Sequence, residues 1–104
     1  MGIFDLLGFG NKSESIKELM AKGAVIIDVR TVGEFCKGHI KEAKNIPLDT
    51  ISSKSDEIKK LNKAVIVCCR SGMRSSQAAS ILKNNGIEVL NGGGWENLER
   101  NLLV

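Results

Sequence analysis

Residues 67–75, Val-Cys-Cys-Arg-Ser-Gly-Met-Arg-Ser, set two adjacent cysteines ahead of a short loop carrying a glycine and two arginines. A thiol becomes a good nucleophile only when it loses its proton: with a pKa near ~8.5 about 3% is thiolate at neutral pH, against about three-quarters at roughly 6.5. A tight turn at Gly72, leading from a strand into a helix, would aim several backbone N–H groups and the positive end of a helix dipole at one point. Arg70 and Arg74 add positive charge close by. Such a loop cradles an anion and supplies a thiolate without a general base. That matters because the chain's one histidine, His39, is remote in sequence from Cys68 and Cys69. Two registers fit the loop. From Cys69 the spacing to Arg74 is C-x4-R; from Cys68 it is C-x5-R followed by Ser75. The two spacings suggest different chemistries, one on sulfur and one on phosphate.

The loop needs a strand before it and a helix after it, and the flanking sequence predicts both. Ala24–Asp28, Ala64–Cys68 and Ile87–Leu90 are short, β-branched and nearly continuously apolar, the pattern of parallel strands covered on both faces. Lys44–Ile46, ahead of Pro47, is a shorter fourth candidate. Between them lie helical segments. Residues 16–22 follow Ser15, which forms an S-x-x-E capping box with Glu18, and Gly23 is a natural stop. Thr31 and Glu34 repeat the signature for a short helix ending near Gly38. Residues 51–61 form a polar helix candidate, and Ser75–Asn84 places Ala78, Ala79, Ile81 and Leu82 on one side before Gly86. The order β-α-β-α-β argues for an α/β domain with a mostly parallel central sheet flanked by helices. Ligands in such folds sit at the carboxyl ends of the strands, which is where the cysteine loop falls.

Composition limits the alternatives. A chain of 104 residues is one domain, and 42% hydrophobic with 26% charged residues is a globular balance. A formal charge of +3 and 4% aromatic residues with no Tyr leave little for stacking on bases, so no nucleic-acid partner is expected. Residues 1–12 read as an N-terminal arm packing Ile3, Phe4 and Leu7, with the folded domain over 13–104. The arm lacks the basic region, long apolar core and cleavage site of a secretory leader, and no apolar run is long enough to span a bilayer. A cytoplasmic protein without membrane contact is the expectation. Three cysteines, two of them adjacent, do not make a disulfide framework, and one His without a second Cys pair does not make a zinc site.

Read from Cys69, the run Cys-Arg-Ser-Gly-Met-Arg-Ser resembles the active-site loop of the rhodanese sulfurtransferases, C-R-x-G-x-R-[ST], at every fixed position. In the phosphatase register only the spacing agrees, since Gly72 falls one residue late and Val67 stands where His is common. "IIDVRTVGEF" (26–35) followed by "GHIKEAKNIPL" (38–48) is similar to the family's upstream signature. "VLNGGGW" (89–95) is similar to its closing segment, where the last strand runs through glycines to a Trp that begins the final helix. The departures are Lys41-Glu42 in place of a frequent Pro-Gly, Cys68 where an aromatic is common, and no clear strand before residue 16.

The resemblance implies the rhodanese-like three-layer fold and a two-step reaction. Cys69 takes a sulfur from a small anionic donor such as thiosulfate as a persulfide and passes it to a thiophilic acceptor, cyanide in an assay or a thiol in the cell; the alternative within the family is a persulfide carrier that docks on a protein partner. Arg70, Ser71, Gly72, Met73 and Arg74 would form the loop around the transferred sulfur, and no metal or organic cofactor is implied. Arg70, next to the nucleophile, is the candidate for donor contact. Arg74 either steers the anionic donor or braces the loop through an ion pair with Asp28 or Glu34, the brace being preferred, and Asp28 and Arg30 are read as lining the pocket or fixing its neighbouring loops. Cys68 should point to the opposite face of its strand and into the core. Cys36 is read as a helix-packing residue, His39 as structural, and Gly92, Gly93 and Gly94 as a tight turn that lets Trp95 pack.

Overall fold

Residues 12–103 are described by a computed structural model, so residues 1–11 of the expected arm, with Ile3, Phe4 and Leu7, lie outside the described residues, while Lys12 opens the first helix. In chain order the elements are α1 (Lys12–Ala21), β1 (Val25–Asp28), α2 (Val32–Cys36), β2 (Lys44–Asn45) and α3 (Leu48–Ile51). Then follow α4 (Ser55–Lys60), β3 (Val65–Cys69), α5 (Met73–Asn84), β4 (Val89–Gly94) and α6 (Trp95–Leu102). The four strands make one sheet in the order β2-β1-β3-β4, and every pairing is parallel. Among the described residues no helix is long and apolar enough to cross a membrane.

Strand alternation divides the interior in two. Val65, Val67 and Cys69 of β3 join Ile27, Val29, Ile51, Ile58, Ala78 and Leu82 in a core beneath α3, α4 and α5. Ile66 and Cys68 join Ile16, Ile26, Ile40 and Leu98 on the other face, beneath α1 and α6. All five residues of β3 are buried, as expected for a central strand with helices on both sides. The layers are therefore helix, sheet, helix. The two adjacent cysteines face opposite ones.

Local signals account for most boundaries. Thr31 caps α2 with a full capping box, its side chain accepting from the Glu34 N–H and the Glu34 carboxylate accepting from the Thr31 N–H. Gly23 and Gly86 close α1 and α5 at φ of +90° and +81°. Four expectations shift. Ser15 lies inside α1, not at its cap, because the polar run from Lys12 to Glu14 contains no helix breaker. The helix expected over 51–61 divides into α3 and α4. There the Ser53 hydroxyl donates to the Thr50 carbonyl at 2.9 Å and competes with the helical ladder. The helix expected from Ser75 begins at Met73, directly from the loop.

The last shift concerns the glycines. β4 runs through Gly92 to Gly94, as the family resemblance implied, instead of stopping at Leu90. A methyl on Gly92 would lie 2.9 Å from Ile66 and 3.0 Å from Leu98, and one on Gly94 would lie 2.7 Å from the Arg70 carbonyl oxygen. Glycine is needed there for close approach across a sheet, with only Gly93, at φ +84°, supplying a turn conformation.

Candidate active site

β3 ends at Cys69, and the chain then turns through Arg70–Gly72 into α5. Gly72 sits just before the helix at φ +102°, a left-handed conformation that a side chain would strain. This turn folds the backbone around the sulfur. The Gly72 N–H donates to Cys69 Sγ at 3.0 Å, the Ser75 N–H at 3.4 Å, and the Ser75 hydroxyl lies 3.3 Å away. The sulfur also faces the first turn of a helix of 12 residues, whose dipole favours negative charge.

Burial opposes ionisation of Cys69, and these contacts oppose burial. Loss of solvent raises its pKa, but hydrogen bonds from the Ser75 side chain and from the N–H groups of Ser75, Gly72 and Ser71 together hold it below the usual thiol value. Cys68 is the reverse case. Desolvation and then the nearby Asp28 carboxylate push its thiol up to about 12, so it stays protonated and inert at neutral pH.

Arg74 braces the loop. Its Nη1 and Nη2 donate to the two carboxylate oxygens of Glu34 at 2.7 and 3.0 Å, a bidentate pair that ties α2 to α5. Of the two partners expected from sequence, Glu34 is the one found. The Arg74 hydrogen bonds and then the Thr31 N–H lower the Glu34 pKa to about 2. A depressed carboxylate pKa contributes stability that is fully present above the ordinary value near ~4.5 and is lost as pH falls towards 2. Thermal midpoints measured over that window should fall more steeply for the wild type than for Glu34→Gln, and added salt should narrow the gap. Equal slopes would mean that the pair contributes nothing.

Asp28 and Arg30 lie on the other face of the sheet, with Cys68. Arg30 donates to Asp28 through Nε at 2.9 Å and Nη2 at 2.7 Å, and Nη2 also reaches the Gly38 carbonyl at 2.7 Å. Its guanidinium lies over the Trp95 ring, 4.8 Å from the centroid. These contacts join the end of β1 to the loop at Gly38 and to Trp95, on the face opposite Cys69. Arg70 and Ser71 are exposed at the rim, and Met73 is 75% exposed beside them. Cys36, expected to pack, is exposed because α2 buries none of its residues. His39 stacks on Phe35 at 3.8 Å between ring centroids, and its Nδ1 lies 2.7 Å from the Phe35 carbonyl, which fits a structural role.

One residue at the site escaped the sequence reading. Asn91 of β4 accepts a hydrogen bond from Ser75 Oγ at 2.7 Å and donates to the Gly72 carbonyl at 3.1 Å. Its only signal was an asparagine set between an apolar strand and three glycines. Its partners appear once β3 and β4 pair with Val67 opposite Asn91.

A model of the rhodanese-like domain matches residues 12–100. An uncharacterized Bacillus subtilis protein, YqhL, is 43% identical over 63 residues, 61% of this chain and 49% of that protein, so the chain spans about half the length of that relative. A sulfurtransferase of Allochromatium vinosum is 37% identical over 82 residues, 76% of each chain. Among solved structures, a rhodanese with anions from E. coli is similar with a TM-score of 0.65 at 33% identity, covering 71% of this chain and 89% of that one.

Proposed function

The chain belongs to the rhodanese-like domain family, and on that premise we propose that it transfers a sulfane sulfur from thiosulfate or a similar small anionic donor to a thiophilic acceptor. The observation that carries this reading is the convergence of the Gly72 and Ser75 N–H groups on Cys69 Sγ, with nothing comparable at Cys68 among the described residues. The Cys69 thiolate attacks the outer sulfur of thiosulfate; a bond forms between the two sulfurs, the S–S bond of the donor breaks, and sulfite leaves with the electron pair. The new persulfide places its charge on the terminal sulfur, within reach of the loop's N–H groups. Cyanide, or a thiolate in the cell, then attacks that sulfur and Cys69 leaves as thiolate. Neither half needs a general base or an added oxidant.

The loop favours this over phosphate chemistry for two reasons. Counted from Cys69 it is one residue shorter than a C-x5-R loop, and the smaller cup suits one sulfur better than a phosphate with several oxygens. The phosphatase register would also need Cys68, whose thiol is pushed up to about 12 in the opposite core. The rhodanese with anions from E. coli supports an anion-receptive site in a similar chain. A protein acceptor in place of a small thiol is favoured by the exposed Met73, an apolar side chain inside the loop itself.

Varying thiosulfate and cyanide together should give parallel double-reciprocal lines for thiocyanate formation, the signature of a covalent intermediate. Intersecting lines would contradict the persulfide, and hydrolysis of an aryl phosphate that is lost on Cys68→Ser would favour the other register. Gly94→Ala should lower kcat/KM about 10²-fold, because the added methyl presses on the Arg70 carbonyl and displaces the cup. Unchanged kinetics would mean that the loop tolerates that shift.

A further inference from the structure

Both polar atoms of the Asn91 side chain are committed to the loop, although the sulfur-transfer steps do not use them. Oδ1 accepts from Ser75 Oγ at 2.7 Å and from the Gly93 N–H at 2.9 Å, while Nδ2 donates to the Gly72 carbonyl at 3.1 Å. The Gly93 contact depends on a φ of +84°, and nothing lies within 4 Å of where its Cβ would be, so glycine serves conformation there and not space. Ser75 Oγ in turn stands 3.3 Å from Cys69 Sγ, in a contact where either atom can donate.

A hydroxyl has one hydrogen and two lone pairs. Ser75 therefore cannot donate to Asn91 and to Cys69 at once. While Cys69 is a thiol the hydrogen belongs on Asn91, because an amide oxygen is a stronger acceptor than a neutral thiol sulfur, and the S–H donates to the Ser75 oxygen. Once the sulfur is an anion it has no hydrogen to give, and the hydroxyl is better used as its donor, since bonds to charged acceptors are stronger. Oδ1 then keeps the Gly93 N–H. The hydroxyl can turn without leaving a buried polar atom unpaired.

We propose that Asn91 is a positioning residue that holds the hydrogen of the Ser75 hydroxyl while Cys69 is a thiol and yields it to the sulfur when the sulfur is charged. The proposal rests on Cys69 being the reacting thiol. Forming the anion breaks the Ser75–Asn91 hydrogen bond and makes a Ser75–Cys69 one, so Asn91 restrains the anion instead of promoting it. Among the described residues, the charged and titratable groups around this trio are Arg70 beside Cys69, Arg74 of α5 paired with Glu34 of α2, Cys68 in β3, the Asp28–Arg30 pair beyond it, and Lys12 of α1. Lys12 lines, with Gly72 and Asn91, an open depression of about 590 Å³. β4 brings no titratable side chain of its own. The substitutions at Asn91 and Ser75 used below leave all of these groups in place.

The test is the pH midpoint of Cys69 alkylation by iodoacetamide, read on the full chain carrying Cys36→Ser to remove the exposed thiol. Asn91→Ala releases the hydroxyl to the sulfur and should lower the midpoint by about 0.5–1 unit, the equivalent of one net hydrogen bond. In a Ser75→Ala background the same substitution should not lower it. A pure brace predicts the opposite sign, because a looser loop loses donors to the sulfur. A midpoint that rises or stays put, or that falls equally in both backgrounds, overturns the proposal. Should Asn91→Ala fail to fold by circular dichroism, Asn91→Asp replaces it. Its carboxylate holds the hydroxyl harder, and the midpoint should rise further with Ser75 present than without; an equal rise would be charge alone and would also overturn the proposal. Alkylation needs no sulfur donor, so a wild-type chain that shows these shifts but takes no sulfur from thiosulfate would count against the functional reading and not against Asn91.

Discussion

Cys69→Ser is expected to lower thiocyanate formation at least ~10³-fold, while Cys68→Ser keeps it within about threefold. A serine hydroxyl has no accessible anion at neutral pH, and its oxygen cannot carry a transferable sulfur. The cradle of N–H groups would remain, but with nothing to stabilise. Cys68 lies one residue away and differs in everything that matters for reactivity. It is fully buried in the core beneath α1 and α6, and its thiol is pushed up to about 12. Its replacement should appear as lost stability, about 1–3 kcal/mol for a hydroxyl buried among apolar groups, and not as lost chemistry. Activity assays at saturating thiosulfate and urea denaturation separate the two. Loss of turnover in Cys68→Ser with a native unfolding curve would overturn the assignment of the nucleophile.

The second large effect is on the fold. Arg30→Ala should cost about 3–5 kcal/mol, because it strands the Asp28 carboxylate in the interior. Asp28 is completely buried and Arg30 is 5% exposed. The guanidinium answers that carboxylate with Nε and Nη2, reaches the Gly38 carbonyl, and covers Trp95. Among the described residues, only the Arg30 backbone N–H, at 3.0 Å, would remain on the Asp28 carboxylate. Against a total stability of about 5–15 kcal/mol for a domain of this size, such a loss is a large share. Arg30→Lys should recover less than half of it, since an ammonium cannot reproduce the fork. Chemical denaturation measures both variants, and a loss under about 1 kcal/mol for Arg30→Ala would show that the pair is dispensable. The midpoint of Cys69 alkylation should stay where it is in either variant, because the pair lies on the other side of the sheet.

The opposite facing of Cys68 and Cys69 was legible in the sequence, because strand alternation needs only the strand's existence and not its exact end. The α2 capping box was legible for a similar reason, since Thr31 and Glu34 satisfy each other within one turn. What depended on tertiary contact was harder to read. Gly92 and Gly94 look like turn residues until Ile66, Leu98 and the Arg70 carbonyl are seen to occupy the space of a Cβ. Cys36 has a packing residue's chemistry on a helix that buries nothing. Asp28 and Arg30 were expected at a strand end on the side of the site; Asp28 ends β1, shares the parity of Ile26, and so faces Trp95 and not Cys69. Asn91 was the largest omission: an amide's role depends on which carbonyl and hydroxyl the neighbouring strand and helix present to it.

The most direct measurement is the intact mass of the wild type, Cys68→Ser and Cys69→Ser after thiosulfate, and again after cyanide. One added sulfur is expected on the wild type and on Cys68→Ser, none on Cys69→Ser, and its release as thiocyanate when cyanide is added. A sulfur retained in Cys69→Ser, or a wild type that takes up none from thiosulfate, would contradict sulfur transfer through Cys69.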